Sequence, residues 1–123
     1  MGKSKREELN YNLLRSADYT NLYVLKRLIA TINIIINLAE SGDQVAMSIL
    51  IDLKTVLGEY QREESPLTDR QIFALRMSLI EGYSQAEVAA VLGVTQKWVS
   101  RIILLGLEAI SKQLCREAGN GDA

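Results

Sequence analysis

Residues 67–102 read LTDRQIFALRMSLIEGYSQAEVAAVLGVTQKWVSRI, and the fold is decided here. Thr68 is followed three residues on by Gln71, a capping box that starts a helix. Ala74, Leu75 and Leu79 recur at helical spacing, and Gly82 ends the run. Ser84 and Glu87 form a second capping box, which opens a helix through Leu92 with Val88, Ala89 and Leu92 as its apolar side. Gly93, Val94 and Thr95 follow. Gly93 supplies a positive φ that a side chain would resist. Val94 plugs the wedge between two helices, Ala89 is small where they cross, and Thr95 caps the next helix. Two helices joined by a tight glycine turn have the helix-turn-helix layout.

The helix after Thr95 carries Gln96, Lys97, Ser100 and Arg101 in its first turns, while Val99, Ile103, Gly106, Leu107 and Ile110 hold it down. In a helix-turn-helix, side chains at that end enter a major groove. With Ser84 and Gln85 at the start of the preceding helix, the candidate DNA-binding set is Ser84, Gln85, Thr95, Gln96, Lys97, Ser100 and Arg101. For Lys97 and Arg101 the plain alternative is a solvated helix face. For the domain it is a three-helix bundle that binds no nucleic acid, against which the two capping boxes, the Ala-Gly-Val wedge and the polar face weigh together. Trp98 could stack on a sugar if exposed, but a tryptophan is more often partly buried, so packing is expected.

This stretch resembles region 4 of the sigma-70 family and the sigma-like regulators of bacteriophages and prophages. The matching elements are Leu67-Thr68-Asp69-Arg70-Gln71, Glu81 to Ala89, Leu92-Gly93-Val94-Thr95 and Val99. The resemblance implies recognition of promoter DNA, and often contact with RNA polymerase. Two departures matter. Sigma-type domains usually continue the recognition helix with several Arg and Lys, whereas here Ile102-Ile103-Leu104-Leu105-Gly106-Leu107 follows. Ile102, Leu104 and Leu105 stand where polar residues are common, and are expected to meet protein: the N-terminal hairpin or a second subunit. The first 65 residues also do not read as a promoter-melting region. No aromatic lies between Val24 and Leu57, and residues 16–65 carry a net charge of -3. The resemblance therefore points to a phage regulator of the late-gene activator type.

Upstream, a short helix is predicted over about Lys5 to Arg15, with Leu9, Leu13 and Leu14 on one side. A second is predicted over about Tyr19 to Ala39. Leu22, Leu25, Ile29, Ile32, Ile36 and Ala39 follow the three-four spacing of a heptad seam. The β-branched run Ile34-Ile35-Ile36 could read as a strand, but the flanking period is helical. Leu28, Ile34, Ile35 and Leu38 make this helix apolar over more than one face. That excess exceeds what one partner helix covers, so a homodimer is expected. Its interface residues would be Leu22, Leu25, Ile29, Ile32, Ile36, Leu104 and Leu105. Gly42 and Asp43 end this helix and cap a third, which runs to about Tyr60 along Ala46, Ile49, Leu50, Leu53, Val56 and Leu57. The short link makes a helical hairpin. Gln61 to Ser65, ahead of Pro66, is the one linker. The expected organisation is all-α: an N-terminal helical packing or oligomerisation unit (1–65), a sigma region 4-like helix-turn-helix domain (66–116) and a disordered tail (117–123).

The totals narrow the function classes. Fourteen basic residues stand against fifteen acidic, a net charge of -1, which is weak for a DNA binder. Charge is local instead. Gln96 to Arg116 holds Lys97, Arg101, Lys112 and Arg116 against Glu108, and Met1 to Arg15 carries +2. Lys3, Lys5 and Arg6 fit an arm onto DNA or a solubilising tail equally well. There is no histidine and one cysteine, Cys115, read as a small semi-buried apolar residue. An internal disulfide and most nucleophile-base catalysis are thereby excluded, and a structural zinc site nearly so. No enzyme, metal, cofactor or small-molecule substrate is expected. The Leu22–Ala39 span is too short and too polar for a membrane, so a cytoplasmic location is expected. The partners expected are double-stranded DNA, RNA polymerase and a second copy of the chain. Two other readings share these elements: a recognition subunit for DNA packaging of the phage small-terminase kind, and a module that binds polymerase without DNA.

Overall fold

The computed structural model describes Leu14, residues 17–59 and residues 65–122, the last six by backbone alone. Six α-helices follow in order among the described residues: α1 (Leu22–Ala30), α2 (Ile32–Glu40), α3 (Gln44–Val56), α4 (Asp69–Leu75), α5 (Gln85–Leu92) and α6 (Gln96–Asp122). One turn of π-helix, Arg76–Ile80, extends α4. The predicted first helix lies outside the described residues apart from Leu14, which is helical and buried. Of the predicted linker, Gln61 to Glu64 also lie outside them.

The single helix expected over Tyr19–Ala39 is two. α1 begins at Asn21, whose side-chain oxygen accepts from the amides of Tyr23 and Val24. It stops at Thr31, and α2 leaves at 67°. Thr31 stands at the break, where its hydroxyl joins its own amide in donating to the Arg27 carbonyl, at 2.8 Å, a local bond of the kind that bends helices. The bend resolves the apolar excess. α1 packs on α6 and the π-turn, burying Leu25, Leu28 and Ile29, while α2 packs on α3, burying Ile32, Ile35 and Ala39. Each half of a two-faced apolar segment thus finds its own neighbour. The expected dimer seam is corrected accordingly. Leu25, Ile29 and Ile32 are 0%, 0% and 4% exposed within one chain, and Leu22 and Ile36 are partly buried against the same core. Leu104 and Leu105 alone of that set are exposed.

Gly42 at φ +103° and Asp43, which accepts from the Ala46 amide, make the link between α2 and α3. α3 ends at Val56 rather than Tyr60, because Gly58 turns left-handed at φ +79°. The Ser65 hydroxyl donates to the Val56 carbonyl and accepts from the Leu67 amide, which ties the start of the C-terminal part to the end of α3.

α6 is the spine. It contacts α1, α3, α4 and α5, and Val99, Ile102, Ile103, Leu107, Ile110 and Leu114 are buried along it. Its backbone continues as helix through residues 117–122, where composition suggests a disordered tail; no proline interrupts the segment. Polar ties reinforce the packing. The Tyr19 hydroxyl donates to Asp52 at 2.8 Å, and the Ser111 hydroxyl donates to the Tyr19 carbonyl at 2.6 Å. Burial, then the Asp52 carboxylate, hold the Tyr19 phenol far above its ordinary pKa, so it stays a donor. The exposed Arg76–Glu59 pair at 2.6 Å contributes at most about 1 kcal/mol. A single fully buried side chain such as Leu75 or Ile110 is worth ~1.5–3 kcal/mol. Apolar burial, not ion pairing, therefore joins the two parts of the chain. Among the described residues no single helix is long and apolar enough to cross a membrane.

Gly106 sets how closely α4 approaches α6. A Cβ there would lie 3.0 Å from Leu75 Cδ1 and 3.6 Å from Gln71 Cβ. Gly106→Leu should destabilise the fold by about 1–3 kcal/mol, the usual cost of overpacking, read as a lowered midpoint in urea unfolding.

Candidate nucleic-acid interface

The interface is built on two consecutive turns. The Ser84 hydroxyl accepts from the Glu87 amide at 3.1 Å, and the Glu87 carboxylate accepts from the Ser84 amide at 2.9 Å, so the capping box that starts α5 is complete. At the other end Gly93 sits at φ +72°, ψ +32°, and the Val94 amide donates to the Ala89 carbonyl. Nothing lies within 4 Å of a Cβ at Gly93, so the demand for glycine is dihedral and not one of space. Thr95 then accepts from the Trp98 amide at 3.1 Å and starts α6. The two helices meet at 98°, within the range of helix-turn-helix units. Ala89 is buried and Val94 partly buried at the crossing.

This turn aims the first two turns of α6 outward. Val99 is fully buried, which rotates Gln96, Lys97, Trp98, Ser100 and Arg101 to solvent. Thr95, Lys97, Trp98, Ser100, Arg101 and Leu104 line one groove of ≈ 540 Å³. Gln85 and Ser100 line an adjoining groove of ≈ 260 Å³ with Tyr23 and Lys26 of α1 and with Leu104. Ser84 is exposed beside them, and Gln96 is exposed but lines neither groove. No carboxylate lines either groove. Among the described residues neither Lys97 nor Arg101 is held in an ion pair. The surface therefore carries cations without carboxylates among apolar walls, although the chain as a whole is weakly acidic, and the free amides at the start of α6 add to the attraction for phosphate.

Three features lie outside the expected set. Trp98, expected to pack, is 47% exposed and forms part of the groove wall. Its spacing from Arg101 and Lys97 on one helix face could have shown this. Leu104 extends the same face, while Ile102 turns inward at 6% exposure. Tyr23 and Lys26 join from α1, far upstream in the sequence, a juxtaposition that no local pattern encodes. A third groove, of ≈ 340 Å³ and chiefly apolar, runs between the end of α4 with its π-turn and α5, along Phe73, Met77, Tyr83, Glu87, Val88 and Val91. Among the described residues no cluster of three or more His, Cys, Asp or Glu could hold a metal, and Cys115 is a half-buried free thiol.

Substitutions at the two turns have separate outcomes. Gly93→Ala should cost about 1–2 kcal/mol of stability, since only the left-handed dihedral opposes it, and thermal unfolding reads that loss. The backbone amide and then the hydroxyl of Ser84 hold the Glu87 carboxyl below its ordinary pKa. A folded pKa below the unfolded one stabilises fully above the unfolded value and is lost as pH falls through the folded one. Acidification below about 4.5 should thus weaken the start of α5 in the wild type. Glu87→Gln should remove that part of the pH dependence in unfolding experiments.

Residues 66–112 match the family model described as Sigma-70, region 4. No curated protein and no solved structure matches the chain. The matched segment contains both capping boxes, the Gly93 turn and the exposed face of α6. The C-terminal part of the chain thus has a helix-turn-helix fold that resembles sigma-70 region 4 over residues 66–112.

Proposed function

We propose that this chain is a sequence-specific transcription regulator that reads promoter DNA in the major groove with the first turns of α6. The observation that carries the reading is the carboxylate-free surface on which Thr95, Lys97, Ser100 and Arg101 converge, presented by a 98° helix pair. Lys97 and Arg101 are the cations available for base edges or phosphates, and Gln96 and Ser100 add hydrogen-bonding groups. Ser84 and Gln85, at the start of α5, sit where the first helix of such a unit crosses the backbone. The regulator is of the sigma-like kind found in phages and prophages, acts in the cytoplasm, and does not open the promoter itself. In support, residues 17–59 form a hairpin and a packing helix whose apolar side chains are largely buried in the core.

Contact with RNA polymerase is supported by the groove along Phe73, Met77, Tyr83 and Val91, where Val91 is 71% exposed. An apolar concavity on a DNA-binding domain suits a protein partner better than phosphate. A second copy of the chain has less to use than the sequence suggests. Leu104 and Leu105 remain exposed, as do Val45, Met47 and Ile51 on α3. A ring of more than four copies in sedimentation would favour the DNA-packaging reading instead.

The test is a salt titration of binding to promoter fragments. Lys97→Ala with Arg101→Ala should lower the slope of log affinity against log salt by roughly 1 for each phosphate no longer neutralised, and should flatten the preference among sequences if either residue reads a base. Wild-type affinity that survives the double substitution unchanged would contradict this function.

A further inference from the structure

The groove between α1 and the recognition helix carries chemistry that the helix-turn-helix does not need for its own packing. Tyr23 is 66% exposed, and Lys26 is exposed one turn further along α1. Both line one groove with Gln85 and Ser100. Ser100 also lines the groove of Lys97 and Arg101, so the two grooves adjoin at that residue and at Leu104. We propose that Tyr23 and Lys26 form a second phosphate-contact site, gripping the DNA backbone strand that passes Gln85 while α6 occupies the major groove. The inference rests on the DNA-binding reading above and adds to it a contact from outside the helix-turn-helix.

Three observations support DNA as the occupant. The groove has no carboxylate in its lining, although the chain carries a net negative charge. Among the described residues no ion pair holds the Lys26 ammonium, and a phenol hydroxyl beside an ammonium is a donor pair suited to phosphate oxygens. The helix that carries them is fixed: Leu25, Leu28 and Ile29, on its other side, are 0–1% exposed. Lys26 is therefore held at a set place relative to α6, and the contact costs little backbone ordering. A chain of weak overall attraction for DNA gains most from such a local contact.

The experiment uses the full chain and a mixed-sequence DNA duplex, with affinity measured from about 50 to 200 mM salt. Lys26→Gln should reduce the salt slope by about 0.9, so that the loss of affinity across that range shrinks about 3-fold, and should do so equally for any duplex sequence. Tyr23→Lys should raise the slope by a similar amount. Both positions are exposed, and unchanged thermal midpoints show that the fold is kept. Lys112→Gln is the control. Lys112 is exposed roughly 20 Å along α6 by helical rise, beyond the screening length, and its slope should match wild type. If wild type binds duplex DNA but Lys26→Gln keeps the wild-type slope, or Lys112→Gln lowers it as much, the second site is overturned and DNA binding by α6 stands. If wild type binds no duplex at low salt, both fall together.

Discussion

The left-handed turn at Gly93 is the constraint on which the rest depends. It sets α5 and α6 at 98° and lets one helix serve two purposes. The start of α6 projects its side chains outward, while the remainder lies in the core against α1, α3, α4 and α5. Gly106 makes the complementary provision further along, where a missing side chain lets α4 close on α6.

The N-terminal part answers the same demand from the other side. Its apolar residues outnumber what a single helix face can bury, and Thr31 divides them between two directions. One half covers α6 and the other half covers α3. Outside the groove of Phe73, Met77 and Val91, the aliphatic surface left exposed is correspondingly scattered, with Val45, Met47 and Ile51 on α3 and Leu104 and Leu105 on α6. Packing α1 against α6 also brings Lys26 beside Ser100, so the covering helix widens the polar face of the helix it covers.

Much of the C-terminal part is legible in sequence because its signals are local. The two capping boxes, Gly82, Gly93 and Thr95 each act within four residues, and each has the predicted geometry. The all-α class follows from the same periodicity. The break at Thr31 is not legible, since a threonine in a helix interior is common and only the competing demands of α3 and α6 make it a bend. The π-turn at Arg76–Ile80 interrupts a pattern that spacing reads as ordinary helix. The exposure of Trp98 runs against its residue type, which favours burial, and follows instead from its place on the helix beside the inward Val99. Tyr23 and Lys26 cannot be placed in one groove with Gln85 and Ser100 from sequence, because only tertiary packing brings them together.

Amide chemical-shift mapping of the full chain during titration with promoter duplex bears most directly on where the DNA lies. The expected shifts fall on Ser84 and Gln85, on Thr95 to Arg101, and on Tyr23 and Lys26, with α3 unmoved. Shifts confined to α3, or to the groove of Phe73, Met77 and Val91, would contradict the assignment of the DNA face to the start of α6.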